Sequence, residues 1–276
     1  MAGLSEIIGQ KLYRLGEALS FVCSYAADMQ TRKTLVHIYA SLSNPARYND
    51  EVSLNLKIAG RTVPFVMRLS DIFIIAEILH EQQYKMVSRL PANAMIVDAG
   101  GNVGISAVWF LAHYPDATMH VFEPAEENIG FLARNLSSFP KAKLFQQGVG
   151  AETGTMNLLH GEFAGMHSLL PGLAEEGAPV EQIEVVTLAD HMAANNIAKI
   201  DLLKLDIEGS EMDAIHGLGE RIRDVDVIVG EVHEALIDVD AFYKELTVAG
   251  FSILWRKNFR ESEEQQVHGF EAARRQ

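Results

Sequence analysis

The chain has 276 residues and a formal net charge of −14, and 48% of its residues are hydrophobic. A chain of this size can bury one substantial core with an extension. The acidic charge argues against a protein that holds nucleic acid by neutralising phosphates, and it gives no attraction to an anionic membrane. The single cysteine, Cys23, excludes an internal disulfide. We therefore expect a cytoplasmic enzyme with a small partner that is neutral or cationic.

Residues 1–90 are expected to form an extension of helices and one hairpin. Apolar residues recur at helical spacing from Leu4 to Val22, as in an amphipathic helix that packs on a core or on a second subunit. We interpret this helix as a cap or as the contact of a homodimer. The segments Leu54–Ala59 and Val63–Leu69 alternate well enough to predict a hairpin. Ser70 is then expected to cap a helix from Asp71 to about Gln83.

The most informative segment is the glycine-rich run Asp98–Gly104. It follows the apolar run Met95–Val97, which is typical of a parallel strand buried on both faces, and apolar residues recur at helical spacing from Ile105 onward. A strand, a turn and a helix in this order leave backbone N–H groups at the helix start, where they can hold a carboxylate or a phosphate. The segment therefore predicts a ligand site.

The spacing of the glycines bears on which ligand binds. A dinucleotide site requires glycine at three positions spaced G-x-G-x-x-G. If the pattern is aligned on Gly101 and Gly104, its first position is Ala99 instead of glycine. If it is aligned to begin at Gly100, its second glycine position is occupied by Asn102. The residues fit an Asp-x-Gly-x-x-x-Gly pattern instead, which suits a ligand without a phosphate, such as S-adenosylmethionine. Its amino-acid end can meet the turn and Asp98.

Two further strands end in polar residues that suit the rest of such a ligand. The strand Thr118–Phe122 is followed by Glu123, about 20 residues beyond the turn, where ribose-binding acids lie. We expect Glu123 to accept hydrogen bonds from ribose hydroxyls, and the alternative is that it caps the following helix. Gln147 ends the strand Leu144–Gln147 and is a candidate adenine contact, with a solvated turn as the equal alternative.

The densest set of ionisable residues is the segment Ile200–Glu211. Asp206 emerges at the carboxyl edge of its strand, where open α/β sheets bind ligands. There it would orient the amino group of a cofactor or polarise an acceptor. The next strand ends in Glu231 and His233, and His233 is a candidate general base because its ordinary pKa is near neutrality. The alternatives are a structural role for His233, and a Mg²⁺ or Mn²⁺ ion bound by Asp206, Glu231 and His233.

Together these motifs resemble the FkbM family of methyltransferases, over about residues 68–234. The resemblance rests on Asp98–Gly104, Val121–Pro124, Asp190 after Val186-Thr187-Leu188, and Lys204–Glu211. The string Lys-x-Asp-x-Glu-Gly-x-Glu, beginning at Lys204, is its most specific part. The N-terminal helices lie outside the resemblance.

The resemblance implies a class I Rossmann-like methyltransferase fold, which is a mostly parallel, doubly wound α/β sheet. It also implies S-adenosylmethionine as cofactor and O-methylation of a hydroxyl on a sugar, a polyketide or another secondary metabolite. By this likeness the cofactor contacts are Asp98, Gly100, Asn102, Gly104 and Glu123. We place the methyltransferase domain at residues 91–260, followed by a polar tail at 261–276 that is expected to fray. The alternatives are an NAD(P)-dependent oxidoreductase and a non-catalytic cofactor-binding scaffold.

Overall fold

The computed structural model describes residues 16–159, 180–262 and 265–274. They form two compact units that divide between Glu81 and Gln82. Most of the predicted amphipathic helix at Leu4–Val22 lies outside the described residues. Its last part is described, and residues 16–25 are helical (α1). Within the described ranges, no helix is both long and apolar enough to cross a bilayer.

The smaller unit contains helices around one hairpin. Its further elements are α2 (Met29–Ser41), β1 (Glu51–Ile58), β2 (Arg61–Arg68) and α3 (Ile72–Leu79). The hairpin is the predicted one, and its strands are joined by Ala59 and Gly60, whose φ angles are 48° and 76°. Two successive residues with positive φ match the right-handed twist of the flanking strands, which explains a glycine at this turn.

The start of α3 differs from the prediction. Asp71, rather than Ser70, stabilises the turn that precedes α3, because Asp71 Oδ2 accepts a hydrogen bond from the Arg68 backbone N–H at 2.7 Å. The Arg68 guanidinium pairs with the same carboxylate at 3.2 Å, and both side chains are buried. The helix ends at Leu79, and the chain then takes a left-handed conformation at Gln82, with φ 54°.

The larger unit alternates strands with helices. Its elements are β3 (Met95–Ala99), α4 (Ile105–His113), β4 (Thr118–Phe122), α5 (Glu126–Leu136), β5 (Ala142–Phe145), β6 (Gly148–Val149), β7 (Gly154–Leu159), β8 (Val180–Val186), α6 (Leu188–Ala194), β9 (Ile200–Leu205), α7 (Glu211–His216), β10 (Val225–His233), α8 (Val239–Val248), β11 (Phe251–Ser262) and β12 (Gln265–Arg274). The main sheet has the order β5-β4-β3-β9-β10-β12-β11. In this sheet β5, β4, β3, β9 and β10 run parallel to one another, and β12 pairs antiparallel with both of its neighbours, β10 and β11. This confirms the expected doubly wound α/β fold of class I Rossmann-like methyltransferases.

The strand order also fixes where a ligand can bind. From β3 the chain builds outward to β4 and β5 on one side, and it then returns to build β9 and β10 on the other. The order therefore reverses between β3 and β9, and open α/β sheets bind ligands in the crevice at the carboxyl ends of the strands at such a point. The turn after Ala99 and the acidic segment after Leu205 meet there.

The C-terminal residues depart from the prediction. The tail at 261–276 was expected to fray, but residues 265–274 form β12 and pair with β10 in the main sheet. Apolar side chains on β12 supply the reason, since Phe270 and Ala272 are fully buried in the core. The polar residue between them, Glu271, obscures this pattern in the sequence.

Glu271 also bears on where the larger unit begins. Its buried carboxylate accepts hydrogen bonds from the backbone N–H groups of Val87 and Ser88, at 2.6 and 2.7 Å, and from the indole of Trp255. Residues 82–90, which the sequence analysis grouped with the extension, lie in the larger unit.

A buried pair of histidines packs beside the sheet. His120 on β4 and His191 on α6 are 2% and 4% exposed, and His120 Nδ1 lies 2.8 Å from His191 Nε2. Burial lowers the pKa of each ring to about 4. Both rings are therefore neutral at neutral pH and share one hydrogen bond.

We predict that this pair makes the protein less stable as the pH falls from 6.5 to 4. The folded-state pKa lies below the ordinary value of 6.5, so the unfolded state binds more protons in this window and folding stability is lost as the pH falls. The upper limit is about 1.4 kcal/mol per pH unit for each histidine. Replacing both residues with glutamine should flatten the fall of Tm across this window, while His113→Gln, an exposed control on α4, should keep the wild-type slope. Equal slopes in all three proteins would contradict the prediction.

Candidate active site

Among the described residues, partly exposed positions gather at the carboxyl edge of the main sheet. Strands β3, β4, β9 and β10 are mostly buried and β5 is only partly buried, and partly exposed residues lie at the carboxyl ends of all five. These are Gly100 and Asn102 after β3, Pro124 after β4, Gln147 after β5, Asp206 and Glu208 after β9, and Glu231 near the end of β10. A ligand lying across this edge would meet these positions first.

A buried lysine binds the two central strands together at this edge. The ammonium group of Lys204 lies 3.0 Å from Asp98 Oδ1, and it donates hydrogen bonds to the carbonyl oxygens of Ala99 and Gly100, at 3.2 and 2.6 Å. Burial alone would lower the pKa of Lys204, but the carboxylates of Asp98 and Asp206 outweigh it and raise the pKa above its usual value. Lys204 is therefore a fixed positive charge beneath the turn.

Asp98 has a different role from the one expected. Its side chain is fully buried, with one oxygen beside Lys204 and the other accepting a hydrogen bond from Ser106 Oγ at 2.7 Å. A carboxylate enclosed in this way has no surface turned to a ligand. Asp98 thus acts on the site by holding Lys204, and the predicted direct contact with the cofactor is not supported by this geometry.

The turn itself is saturated with internal hydrogen bonds. The five backbone N–H groups of residues 100–104 all donate within the protein. Their acceptors are the carbonyl oxygens of Gly101 and Phe122, the Asn102 side chain and the Glu123 carboxylate. These five groups are therefore not available as donors in this conformation. The expectation itself concerned the N–H groups at the start of α4, which begins at Ile105, and it stays a prediction.

The glycines of the turn are explained by close packing. Gly100 and Gly104 have φ angles of 88° and 96°, which other residues adopt only at a cost. A Cβ atom at Gly100 would overlap the backbone carbonyl oxygen of Asp206, and one at Gly104 would lie 2.7 Å from Leu132. Glycine at these positions lets the turn approach the end of β9 and helix α5.

Glu123 joins the turn to the helix that follows β4. Its carboxylate accepts hydrogen bonds from Asn102 N at 2.7 Å, Ala125 N at 2.9 Å and Asn128 Nδ2 at 3.2 Å. Burial raises the pKa of Glu123, although these three hydrogen bonds act in the opposite direction. Glu123 therefore does bind the backbone just ahead of α5, as the alternative in the sequence analysis proposed. Its contact with a ribose stays a prediction.

Tyr84 is a site residue that sequence reasoning missed. Its hydroxyl donates a hydrogen bond to Asp206 Oδ2 at 2.8 Å, and its ring lies 5.7 Å from the Lys204 ammonium group. Burial, reinforced by the charge of Asp206, raises the pKa of Tyr84 well above its usual value, so the hydroxyl stays a donor. Tyr84 lies in a stretch without periodicity, which gave no signal of its position.

The acidic residues at this edge group differently from the prediction. Ligand atoms of Asp206, Glu208 and His233 all lie within 4.8 Å of one another. Glu231, which was expected in this set, accepts a hydrogen bond from the side chain of Gln83 instead. Glu208 contacts His233 instead of Glu231. The backbone of Glu208 is left-handed, with φ 50°, and this conformation directs the Glu208 carboxylate toward His233.

His233 is held between two carboxylates. Its Nδ1 lies 2.8 Å from Glu211 Oε1, and its Nε2 lies 3.2 Å from Glu208 Oε2. Burial lowers the pKa of His233, but the hydrogen bond to Glu211 and the charges of Glu208, Glu211 and Asp206 outweigh it and raise the pKa to about 10. A ring protonated at neutral pH has no lone pair for a substrate proton, so this arrangement argues against His233 as the general base.

Glu211 and Gln147 complete the residues at the edge. Glu211 is fully buried, and its Oε1 also accepts a hydrogen bond from Gly209 N at 3.2 Å, whereas its Oε2 has no hydrogen-bond partner among the described residues. Gln147 is half-buried and donates to Glu184 Oε2 at 3.2 Å. Its predicted contact with an adenine stays a prediction.

Comparison with known proteins places the larger unit in a family. The family model described as methyltransferase FkbM domain matches residues 98–253. "Methyltransferase 1" of Beauveria bassiana (strain ARSEF 2860) is 29% identical over 203 residues, covering 66% of this chain and 81% of that protein. The "31-O-demethyl-FK506 methyltransferase FkbM" of Streptomyces tacrolimicus is 29% identical over 219 residues, covering 67% of this chain and 84% of that protein.

Among solved structures, "Methyltransferase FkbM from Methylobacillus flagellatus KT" aligns with a TM-score of 0.49 and 14% identity. The alignment covers 95% of this chain and 60% of that chain. A likeness this distant adds nothing to what the strand order already establishes.

We predict that removing the buried lysine charge destabilises the protein far more than removing an exposed one. Lys204→Met leaves the Asp98 carboxylate buried without its partner, and losses of this kind are about 3–5 kcal/mol. Lys199→Met is the control, because Lys199 is half exposed in its pairs with Asp201 and Asp226, where a loss of about 1 kcal/mol or less is expected.

Urea unfolding measures both effects. The double variant Asp98→Asn/Lys204→Met should lose less stability than the two single variants added together, because it leaves no unpaired charge. A Lys204→Met protein as stable as the Lys199→Met control would refute the assignment.

Proposed function

This chain belongs to the FkbM family of methyltransferases, and on that premise we propose that it transfers a methyl group from S-adenosylmethionine to a hydroxyl of a small molecule. Membership of this family establishes that the reaction is a methyl transfer. The choice of cofactor and of an oxygen acceptor is our proposal, and it is supported by the charges at the carboxyl edge of the sheet.

The observation that carries the proposal is the sign of that charge. Partly exposed carboxylates of Asp206, Glu208 and Glu231 line the edge. The basic groups among the described residues there, Lys204 and His233, are each engaged with carboxylates. The N–H groups of the turn are also engaged internally. Such an edge favours a cationic ligand, such as a sulfonium with an ammonium group, and disfavours the pyrophosphate of a dinucleotide.

The residues at the edge fit the parts of this cofactor. Asp206 offers a carboxylate that is 24% exposed, which suits the ammonium group of the methionyl end. The backbone of Gly100, Asn102 and Gly104 forms the wall beside it, where two of the three residues lack a side chain. Glu123 and Gln147 would then lie along the ribose and the adenine.

The chemistry required of the protein is modest. When bound, S-adenosylmethionine supplies a methyl group on a positively charged sulfur, which needs no further activation. The chain must align the acceptor in line with that group, exclude water and accept one proton. We assign the proton to the partly exposed carboxylate of Glu208, because Asp206 is engaged by Tyr84 and by the ammonium group, and we give His233 the role of positioning Glu208. As the new oxygen–carbon bond forms, the sulfur–methyl bond would break to leave the neutral thioether S-adenosylhomocysteine, and the hydroxyl proton would pass to a carboxylate and on to water.

The name of one relative supports an oxygen acceptor. The Streptomyces tacrolimicus protein is named for a 31-O-demethyl form of FK506. A hydroxyl acceptor is consistent with carboxylates at the edge, because they can accept the hydrogen bond of a hydroxyl and then its proton. The family membership disfavours an NAD(P)-dependent oxidoreductase, and the charge at the edge disfavours it independently.

We predict that S-adenosylmethionine binds with one molecule per chain and that NAD does not displace it. Asp206→Asn should weaken this binding at least ten-fold, equal to about 1.4 kcal/mol, because it removes the charge opposite the ammonium group. Asp226→Asn is the control, because Asp226 is partly exposed at the amino end of β10, away from the carboxyl edge, and pairs with Lys199. Isothermal titration calorimetry measures both affinities, and equal affinities in the two variants would contradict the proposed site.

Transfer itself is tested with S-adenosylmethionine labelled in the methyl group and a panel of hydroxylated small molecules. We expect label in an alkali-stable methyl ether of at least one acceptor, and a lower kcat for Glu208→Gln because one proton acceptor is lost. Binding of the cofactor without transfer to any acceptor would favour the scaffold alternative. Label on nitrogen or carbon would refute the oxygen acceptor.

A further inference from the structure

We propose that Asp206, Glu208 and His233 bind a divalent cation of the Mg²⁺ or Mn²⁺ type at the carboxyl edge of the sheet. The inference rests on the proposed function for its role in the reaction, but its geometry stands independently. It differs from the sequence-based set in one ligand, because Glu208 replaces Glu231.

The first argument is the proximity of three suitable ligand atoms. One atom from each of the three side chains lies within 4.8 Å of the other two, so a single ion can reach all of them after small rotations. Two carboxylates and one imidazole form a ligand set that Mg²⁺ and Mn²⁺ accept. Asp206 and Glu208 are partly exposed, which leaves a side of the ion open to water or to an acceptor oxygen.

The second argument is the way His233 is oriented. Its Nδ1 lies 2.8 Å from Oε1 of the fully buried Glu211, and metal-binding histidines commonly donate their second ring N–H to such a carboxylate. This contact fixes the ring and turns Nε2 toward Glu208, at 3.2 Å. With a cation present, the cation takes the place of the proton on Nε2.

The third argument is an uncompensated buried oxygen. Glu211 Oε2 is buried without a hydrogen-bond partner among the described residues, although Glu211 Oε1 touches the cluster. Three carboxylates, of Asp206, Glu208 and Glu211, surround one imidazole, so the cluster holds surplus negative charge. A buried oxygen without a partner is costly, and a nearby divalent cation would offset that cost.

The cation would give the proposed reaction a means of activating its acceptor. An acceptor hydroxyl that coordinates the ion loses its proton more readily, because the ion stabilises the oxygen anion. With Asp206 and Glu208 engaged as ligands, the proton would pass to water rather than to a carboxylate. The oxygen anion would attack the methyl carbon as the sulfur–methyl bond breaks, and S-adenosylhomocysteine would leave. The acceptor oxygen would then be placed beside Asp206, next to the proposed position of the methionyl end.

Mn²⁺ is the probe for this site, since free Mn²⁺ gives an electron paramagnetic resonance signal that is lost on binding. The full chain is first treated with a chelator and dialysed, and Mn²⁺ is then titrated in. We expect saturable binding of one ion per chain, weakened at least ten-fold in Glu208→Gln and His233→Gln. Glu234→Gln is the matched control, because Glu234 is exposed beside the cluster and pairs with His268, and it should bind as the wild type does.

The result that would overturn the proposal is an absence of saturable Mn²⁺ binding in the wild type, or equal binding by Glu208→Gln and Glu234→Gln. Glu208 is 30% exposed, so Glu208→Gln is expected to fold even if His233→Gln does not. Titrating S-adenosylmethionine into the same chelated samples separates this proposal from the proposed function. Cofactor binding without Mn²⁺ binding refutes the cation site alone, and Mn²⁺ binding without cofactor binding supports the cation site while refuting the cofactor.

Discussion

The carboxyl edge of this protein depends on one buried ion pair, between Lys204 and Asp98. Lys204 comes from β9 and Asp98 from β3, the two strands between which the strand order reverses. The same ammonium group binds two carbonyl oxygens of the glycine-rich turn. An isolated charge at this depth would be very costly, so neither residue can be lost alone without disturbing the turn. The pair thus fixes the backbone that any ligand at this edge must meet.

The second constraint follows from how fully that backbone is hydrogen-bonded. The N–H groups of the turn, which bind phosphates in dinucleotide sites, are used here by Glu123, Asn102 and carbonyl oxygens of the protein. The groups left near solvent are mainly carboxylates. Both proposals have this common origin, because an edge with anionic side chains and no available N–H donors at the turn attracts cations. A sulfonium cofactor and a divalent metal ion are two such cations, and they would lie at neighbouring parts of the edge.

The sequence predicted the framework well, because the framework depends on local patterns. Continuous apolar strands, the glycine-rich turn and an acid at the end of each central strand can be recognised one segment at a time. Together they predicted the parallel sheet and its carboxyl edge as the candidate site. The errors came from contacts between distant segments. Tyr84 reaches Asp206 from an aperiodic stretch, and β12 owes its place in the sheet to burial of Phe270 rather than to a clear alternation. Glu208 could not be distinguished from Glu231 because strand alternation does not extend to a residue with left-handed backbone. The sequence also could not show that His233 is unsuited to be a general base, because its charge depends on two carboxylates, Glu208 and Glu211, from a distant segment.

The most direct test of this account is a crystal structure of the chain with S-adenosylhomocysteine. The account predicts that the ligand lies across the carboxyl ends of β3, β4 and β9, with its ammonium group within hydrogen-bonding distance of Asp206 and its ribose beside Glu123. It also predicts that the Lys204–Asp98 pair is unchanged. A ligand bound elsewhere, or one whose carboxylate rather than ammonium group faces Asp206, would contradict the claim that the charge of this edge selects the cofactor.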